Sequence, residues 1–443
     1  MIYSKYNIFS KIKDSENYFI LNLLNGNADI LEPGEASLLE HYRKGTLTDH
    51  EFINVLSEKG YVVDEKEEKK LYRKKYLDFL DSRDEDEIQL FFVPNYTCNF
   101  ACSYCYQDEY AYPKNQLTTE IIDRFFDYVH REFAGRRKYI TIFGGEPLLS
   151  SPRQKEMISY LLEKTNEAGL QACIVTNGYT LNEYMDILKE APIREIQVTM
   201  DGPATVHDTR RFLKGGGKTF AQIAEGIDAC LKNYLPVNLR MVVDKENIES
   251  LPEFARFAIE KGWTNSAFFK TQLGRNYELH HCQTTPDKLF SRISMYEKLF
   301  ELIDKYPEIE EFHKPAYSVT KFLAENGNLP DPLFDACPAT KTEWAFDYTG
   351  QIYSCTATVG KEGESLGQFY PEVKKNMNRI NEWEERDVTS IPQCRDCSLQ
   401  LACGGGCGSV ALNNNGTIGS TDCRPVDKLM ELGFAAYFEQ HPV

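Results

Sequence analysis

The chain has 443 residues, 42% of them apolar, and a formal net charge of −17, enough for a large core and two or three domains. That acidity excludes nucleic acid as the main partner, because phosphate binding rests on Lys and Arg, and no apolar run is long enough to span a membrane. Without a basic-then-apolar N-terminal signal a cytoplasmic location is expected, and with it free thiols rather than disulfides for the thirteen cysteines.

Residues 1–63 read as a small unit of their own. In "YFILNLLNGNADIL" two apolar runs flank Asn25-Gly26, a pair suited to a tight hairpin whose central positions both take positive φ. Short helices near Glu35–Tyr42 and Asp49–Lys59 and a strand in "GYVVDE" complete a winged-helix-like order. Residues 64–87 hold the densest charge, with Tyr72, Tyr76 and Phe79 on one face, as in a helical connector. From Ile88 onward, strands at Ile88–Val93, Tyr139–Phe143, Ala172–Val175, Ile196–Met200, Leu239–Val243 and Ala267–Phe269 alternate with helices. The helices fall near Thr118–Phe133, Gln154–Ala168, Leu181–Glu190, Phe220–Asn233 and Leu251–Lys261. A βα unit repeated about six times predicts an α/β fold over 88–275, a parallel sheet in an open or partial-barrel form. The loops at Cys98–Cys105, Gly144–Pro147, Thr176–Gly178 and Asp201-Gly202 all follow strand ends, where such folds bind ligands. Residues 276–336 read as a helical bridge. Residues 337–443 are Cys-rich and loop-rich, with too little apolar material for a core of their own, so metal ligation is expected to supply much of their stability.

"CNFACSYCY" crowds Cys98, Cys102 and Cys105 into eight positions. Three thiolates suit zinc with an open fourth position, or a cubane iron–sulfur cluster with one iron free. The spacing resembles the CxxxCxxC signature of radical S-adenosylmethionine (SAM) enzymes, with Tyr104 before the last cysteine. The resemblance implies a [4Fe–4S] cluster whose free iron chelates SAM, and a 5′-deoxyadenosyl radical that takes a hydrogen from the substrate. "FGGEP" at 143–147, alone a plausible strand-to-helix turn, sits on the next strand and resembles the family's GGE motif. It assigns Gly144, Gly145 and Glu146 to the SAM amino group. Thr176, Asn177 and Thr199 are similar to positions near the ribose, with helix capping as the alternative. Arg210 and Arg211 fit the SAM carboxylate or the substrate, or simply a surface.

The C-terminal cysteines resemble the SPASM extension of peptide- and protein-modifying members of that family, which implies two auxiliary [4Fe–4S] clusters. Twelve residues separate Cys337 from Gly350 and four separate Gly350 from Cys355, ahead of "CRDCSLQLACGGGC" and Cys423. By analogy Cys394, Cys397, Cys403 and Cys423 hold one cluster, while Cys337, Cys355 and Cys407 hold the other. The fourth ligand of the latter is either Cys282, in "HHCQ", or an open site for substrate. Cys173 and Cys230, in apolar segments, read as buried core residues.

Anaerobic sulfatase-maturating enzymes share this layout. In them an aspartate after the cysteine equivalent to Cys355 acts as base, whereas here Thr356 follows, and a hydroxyl is no base at neutral pH. Residues 1–63 resemble instead the RiPP recognition element, which captures the leader of a precursor peptide as an added strand. The expectation is therefore a peptide maturase of the sactipeptide, ranthipeptide or streptide kind that cross-links a precursor peptide oxidatively, through a thioether or a carbon–carbon bond. An external electron donor such as flavodoxin or ferredoxin is implied. Alternatives are a sulfatase-maturating enzyme, a peptide epimerase, and a zinc-stabilised peptide-binding adaptor.

Overall fold

The computed structural model describes residues 1–47, 49–105, 115–276 and 286–439. The N-terminal unit comprises β1 (Ile2–Tyr3), β2 (Asn7–Lys11), β3 (Tyr18–Asn22), β4 (Asn27–Leu31), α1 (Pro33–Arg43), α2 (His50–Glu58) and β5 (Val62–Val63). Strands β2, β3 and β4 form an antiparallel meander, and β1 pairs with β5. Alternation along β3 sorts its side chains: Ile20 packs with Leu39 and Tyr61 beneath α1 and α2, while Phe19 and Leu21 face the C-terminal region. The Asn25-Gly26 turn differs from expectation. Asn22 pairs with Asn27, so the loop has four residues, and only Gly26 takes a positive φ, 78°. Asn25 is held otherwise, its Nδ2 donating to the Gly60 carbonyl at 2.9 Å.

Helix α3 (Glu65–Glu85) is the connector. Tyr72, Tyr76 and Phe79 all lie against the fully buried Phe334, and Tyr72 also stacks on Tyr6 at 5.3 Å. The charged helix thus joins the N-terminal unit to the C-terminal region through one aromatic stripe.

The barrel then runs β6 (Ile88–Val93), α4 (Thr119–Glu132), β7 (Lys138–Ile142), α5 (Pro152–Glu167), β8 (Ala172–Thr176), α6 (Leu181–Glu190) and β9 (Ile193–Thr199). It continues through α7 (Ala204–Arg210), α8 (Phe220–Lys232), β10 (Val237–Val243), α9 (Leu251–Glu260) and β11 (Phe269–Arg275). Strands β6 to β11 are parallel in sequence order, the six-stranded partial barrel that the βα repeat predicts. The last strand begins where the sequence-based one ends. "KTQLGR" carries no apolar signal and becomes strand by pairing with β10 from Val237 to Val243.

Helices α10 (Arg292–Lys305), α11 (Ile309–Phe312) and α12 (Thr320–Asn326) form the bridge. Next, β12 (Glu343–Asp347) pairs parallel with β6, and β13 (Gln351–Tyr353), β14 (Gly367–Gln368) and β15 (Lys374–Lys375) extend the sheet antiparallel to ten strands. The apolar residues of this region pack into cores shared with other parts of the chain. Ala345, Phe346, Ile352, Phe369 and Trp383 are buried in the barrel's own core, and Val388, Ile391 and Met430 share a second core with the N-terminal sheet. Among the described residues, no helix is long and apolar enough to cross a membrane.

Candidate active site at the mouth of the partial barrel

The loop after β6 carries Cys98, Cys102 and Cys105 and is gripped from two sides. On one side the segment 210–214 takes it as an extra strand: Ala101 N donates to the Phe212 carbonyl at 2.9 Å, Ser103 N to that of Arg210 at 3.1 Å, and Lys214 N to that of Asn99 at 2.8 Å. On the other lies the Gly144-Gly145-Glu146 turn, where Gly145 N donates to the Asn95 carbonyl and Glu146 N to that of Thr97. A Cβ on Gly145 would stand 2.3 Å from the Thr97 carbonyl oxygen and 2.4 Å from that of Tyr96. The glycine pair lets the turn back the root of the cysteine loop.

Glu146 is fully buried at the centre of this packing. Its carboxylate accepts from Thr176 Oγ1 at 2.6 Å, Leu148 N at 2.8 Å and Asn177 N at 2.7 Å. Burial pushes its pKa up, and those three donors hold it back. Asn177 Nδ2 in turn donates to Asn99 Oδ1 at 2.7 Å, beside Cys98. Thr176, Asn177 and Glu146 thus form one hydrogen-bonded group with the cysteine loop. Thr199, at the end of β9, is buried and has no side-chain hydrogen bond to that group among the described residues.

Both arginines are buried, which removes the surface alternative. Arg210 donates to Asp244 at 2.9 and 3.0 Å and pairs with Asp201 at 3.3 Å, so its charge is committed within the fold. Arg211 donates to the Tyr104 hydroxyl at 2.7 Å, while its Nε is buried with no partner. His207 holds Arg211 in place: its Nδ1 accepts from Asp201 N at 3.1 Å, its Nε2 lies 3.0 Å from Thr219 Oγ1, and that hydroxyl donates to the Arg211 carbonyl. Nε2 therefore carries the proton of a neutral ring.

Around Cys98, burial first and then the Glu146 charge push the thiol up to about 12, with Cys102 and Cys105 adding to the effect. Three clustered thiols, a buried guanidinium with an unused donor and a loop fixed on both flanks fit a cubane cluster and SAM. Cys98, Cys102 and Cys105 would hold the cluster.

Among the C-terminal cysteines, the charges that bear on each thiol differ. Burial, then Glu343, Cys337 and Cys407, raise the Cys355 thiol, whereas burial followed by Cys403, Cys397 and Cys423 pushes Cys394 up to about 11. None of the described cysteines is in a disulfide. Among the described residues no three His, Cys, Asp or Glu converge on a single ion. Cys282 lies outside the described residues.

Two supports here have no sequence signature. Arg386, 2% exposed, donates to the carbonyls of Ile418, Gly406, Gly405 and Ser420 at 2.8 to 3.1 Å, lacing together the loops around Cys403, Cys407 and Cys423. The buried Asp335–Lys341 pair anchors Cys337, whose N–H donates to Asp335 Oδ1 at 2.9 Å. Only their long-range partners distinguish these residues from surface charges.

Inside the barrel, a cavity of about 410 Å³ is lined by Gln89, Thr141, Cys173, Gln197, Asn238 and Thr356, among others. Cys173 is thus corrected from core residue to half-buried cavity wall, because odd positions of β8 face the lumen; Cys230 is fully buried as expected. Thr356 N donates to Glu343 Oε1 at 2.9 Å, so a carboxylate raised in pKa by burial stands behind the threonine.

Residues 92–258 match the model of the Radical SAM superfamily, a stretch that includes the strand-borne three-cysteine loop at the mouth of the parallel barrel. The chain is 24% identical over 335 residues to the serine-type anaerobic sulfatase-maturating enzyme of Bacteroides thetaiotaomicron, covering 70% of this chain and 80% of that protein. Two solved structures share the fold. One is anSMEcpe with bound AdoMet and a peptide, at TM-score 0.62, 19% identity, and 80% and 99% of the two chains. The other is Streptococcus suis SuiB bound to its precursor peptide SuiA, at TM-score 0.56, 15% identity, and 96% and 99% of the two chains.

Proposed function

We propose that this radical SAM enzyme modifies a ribosomally made precursor peptide, most simply by an oxidative cross-link. The observation that carries the reading is the N-terminal unit. The SuiB likeness extends over 96% of this chain, against 80% for anSMEcpe. Among the described residues β4 pairs only with β3, leaving an edge suited to a leader peptide as a further strand.

SAM, held at the cysteine loop, supplies hydrogen abstraction. The chain's own residues fix its surroundings. Glu146 ties the ends of β7 and β8 together, Arg211 offers a donor near Cys102 and Tyr104, and the lumen receives the reacting side chain. Cys337, Cys355 and Cys407 would hold one auxiliary cluster and Cys394, Cys397, Cys403 and Cys423 the other; an external one-electron donor would reduce the cluster at the cysteine loop, and an auxiliary cluster would accept the second electron released, with a proton, as the link closes. Sulfatase maturation is the second reading, favoured by the Bacteroides relative and by Glu343 behind Thr356.

The test is anaerobic co-expression with candidate precursor peptides and with a sulfatase-derived peptide, followed by mass spectrometry. A loss of about 2 Da per link on the precursor, absent in the Cys98→Ala, Cys102→Ala, Cys105→Ala variant, supports cross-linking. Loss on the sulfatase peptide alone overturns it in favour of the second reading.

A further inference from the structure

Beside the barrel mouth lies a second cavity, of about 500 Å³, between β11, the bridge helices and the loop after Cys423. Four arginines line it: Arg240, Arg275, Arg292 and Arg424. In a chain with 67 acidic and 50 basic residues, this is a concentration of positive charge against the overall sign.

Arg275 donates to the Phe290 carbonyl at 2.6 Å, but two of the other three keep an unused donor. The Nε atoms of Arg240 and Arg424 are buried without a hydrogen-bond partner. Asp422 lies 3.9 Å from both Arg292 and Arg424, beyond hydrogen-bonding distance, and its Oδ2 already accepts from Cys407 N at 3.1 Å. Guanidinium forks left with open donors suit a carboxylate, which they bind with two parallel hydrogen bonds. Apolar Leu273, Met295, Val426 and Leu429 complete the wall, as around a ligand held by few polar groups.

Location narrows the ligand. Arg240 lines both this cavity and the lumen, crossing the edge strand over Gly274, whose Cα leaves room for it: a Cβ there would lie 3.0 Å from Arg240 Nε. An anion held at Arg240 therefore sits next to whatever occupies the lumen. We propose that this cavity binds a carboxylate of the peptide substrate and so sets which neighbouring residue enters the barrel, an assignment that rests on the peptide-maturase reading.

The test is calorimetric titration of the full-length protein with three terminally defined peptides: acetyl-Gly-Ala-Glu-Ala-Gly-amide, its Gln counterpart, and the Gln peptide with a free C-terminal carboxylate. The glutamate peptide should bind at least tenfold more tightly than the blocked Gln peptide. Arg240→Gln and Arg424→Gln, checked for native circular dichroism, should each erode that ratio, the double variant should abolish it, and Arg240→Lys should restore part of it. Preference for the free C-terminus instead assigns the same cavity to a terminal carboxylate. Equal binding of all three peptides, or a ratio that survives the double variant, overturns the proposal. Because binding rather than modification is read, failure here is separate from failure of the maturase reading, which the mass experiment measures.

Discussion

Arg386 is the test case for how the C-terminal cysteine loops are held. Replacing it with Met keeps the apolar stem and removes a guanidinium that donates to four backbone carbonyls, two of them in the Gly404-Gly405-Gly406 run between Cys403 and Cys407. All three glycines have φ between 60° and 73°, a conformation open to glycine without strain, so the loop's own backbone does little to fix it. A hydrogen bond to a charged group contributes about 1.5–3 kcal/mol, but four bonds to one guanidinium do not add, and burying the arginine offsets part of the sum. The net loss expected is about 3–5 kcal/mol, the usual size for breaking a buried charged network. Guanidinium unfolding of the cluster-free, reduced chain should show the C-terminal transition moving to lower denaturant in Arg386→Met, with Arg386→Lys intermediate. A midpoint within error of wild type would refute the bracing role.

Three further outcomes follow from the same structure. Gly145→Ala forces a Cβ against two backbone carbonyls at 2.3 and 2.4 Å, so reconstituted protein should lose about four irons per chain while the C-terminal clusters stay; full iron content would contradict this. His207 is held neutral, its pKa pushed down to about 3 by burial and then by the Arg211 charge. The unfolded chain therefore binds the extra proton between pH 6.5 and 3, stability falls as pH drops through that window, and by pH 5 the cost is about 2 kcal/mol. His207→Gln should flatten that slope in urea titrations at pH 7 and 5, and an unchanged slope speaks against it. Phe334→Ala removes the ring on which Tyr72, Tyr76 and Phe79 converge and should cost about 3–5 kcal/mol, read as faster amide exchange in 65–85; unaltered protection there would discount the stripe.

What the sequence made legible was whatever is local. The cysteine spacings, the glycine pair and the six βα units lie within short windows, so pattern reading places them on strand ends. The pairing of Glu343–Asp347 with β6 is not local, since about 250 residues intervene and Trp344-Ala345-Phe346 reads equally as loop-side packing. The same holds for Arg386, Asp335 and Lys341, which look like surface charges until the loops they brace are assembled around them. Arg210 and Arg211 are adjacent in sequence yet differ in role, because Asp201 and Asp244 capture only the first.

The account rests on three separate cluster sites on one chain, and the most direct measurement is iron and acid-labile sulfide per chain, with Mössbauer spectra, for the reconstituted wild type and for three variants. The variants replace Cys98, Cys102 and Cys105, or Cys337, Cys355 and Cys407, or Cys394, Cys397, Cys403 and Cys423, with alanine. About twelve irons in the wild type, and a loss of about four in each variant with the other cubane signals retained, is the expected result. Zinc in place of iron, or one variant that empties all three sites while remaining folded, would contradict it.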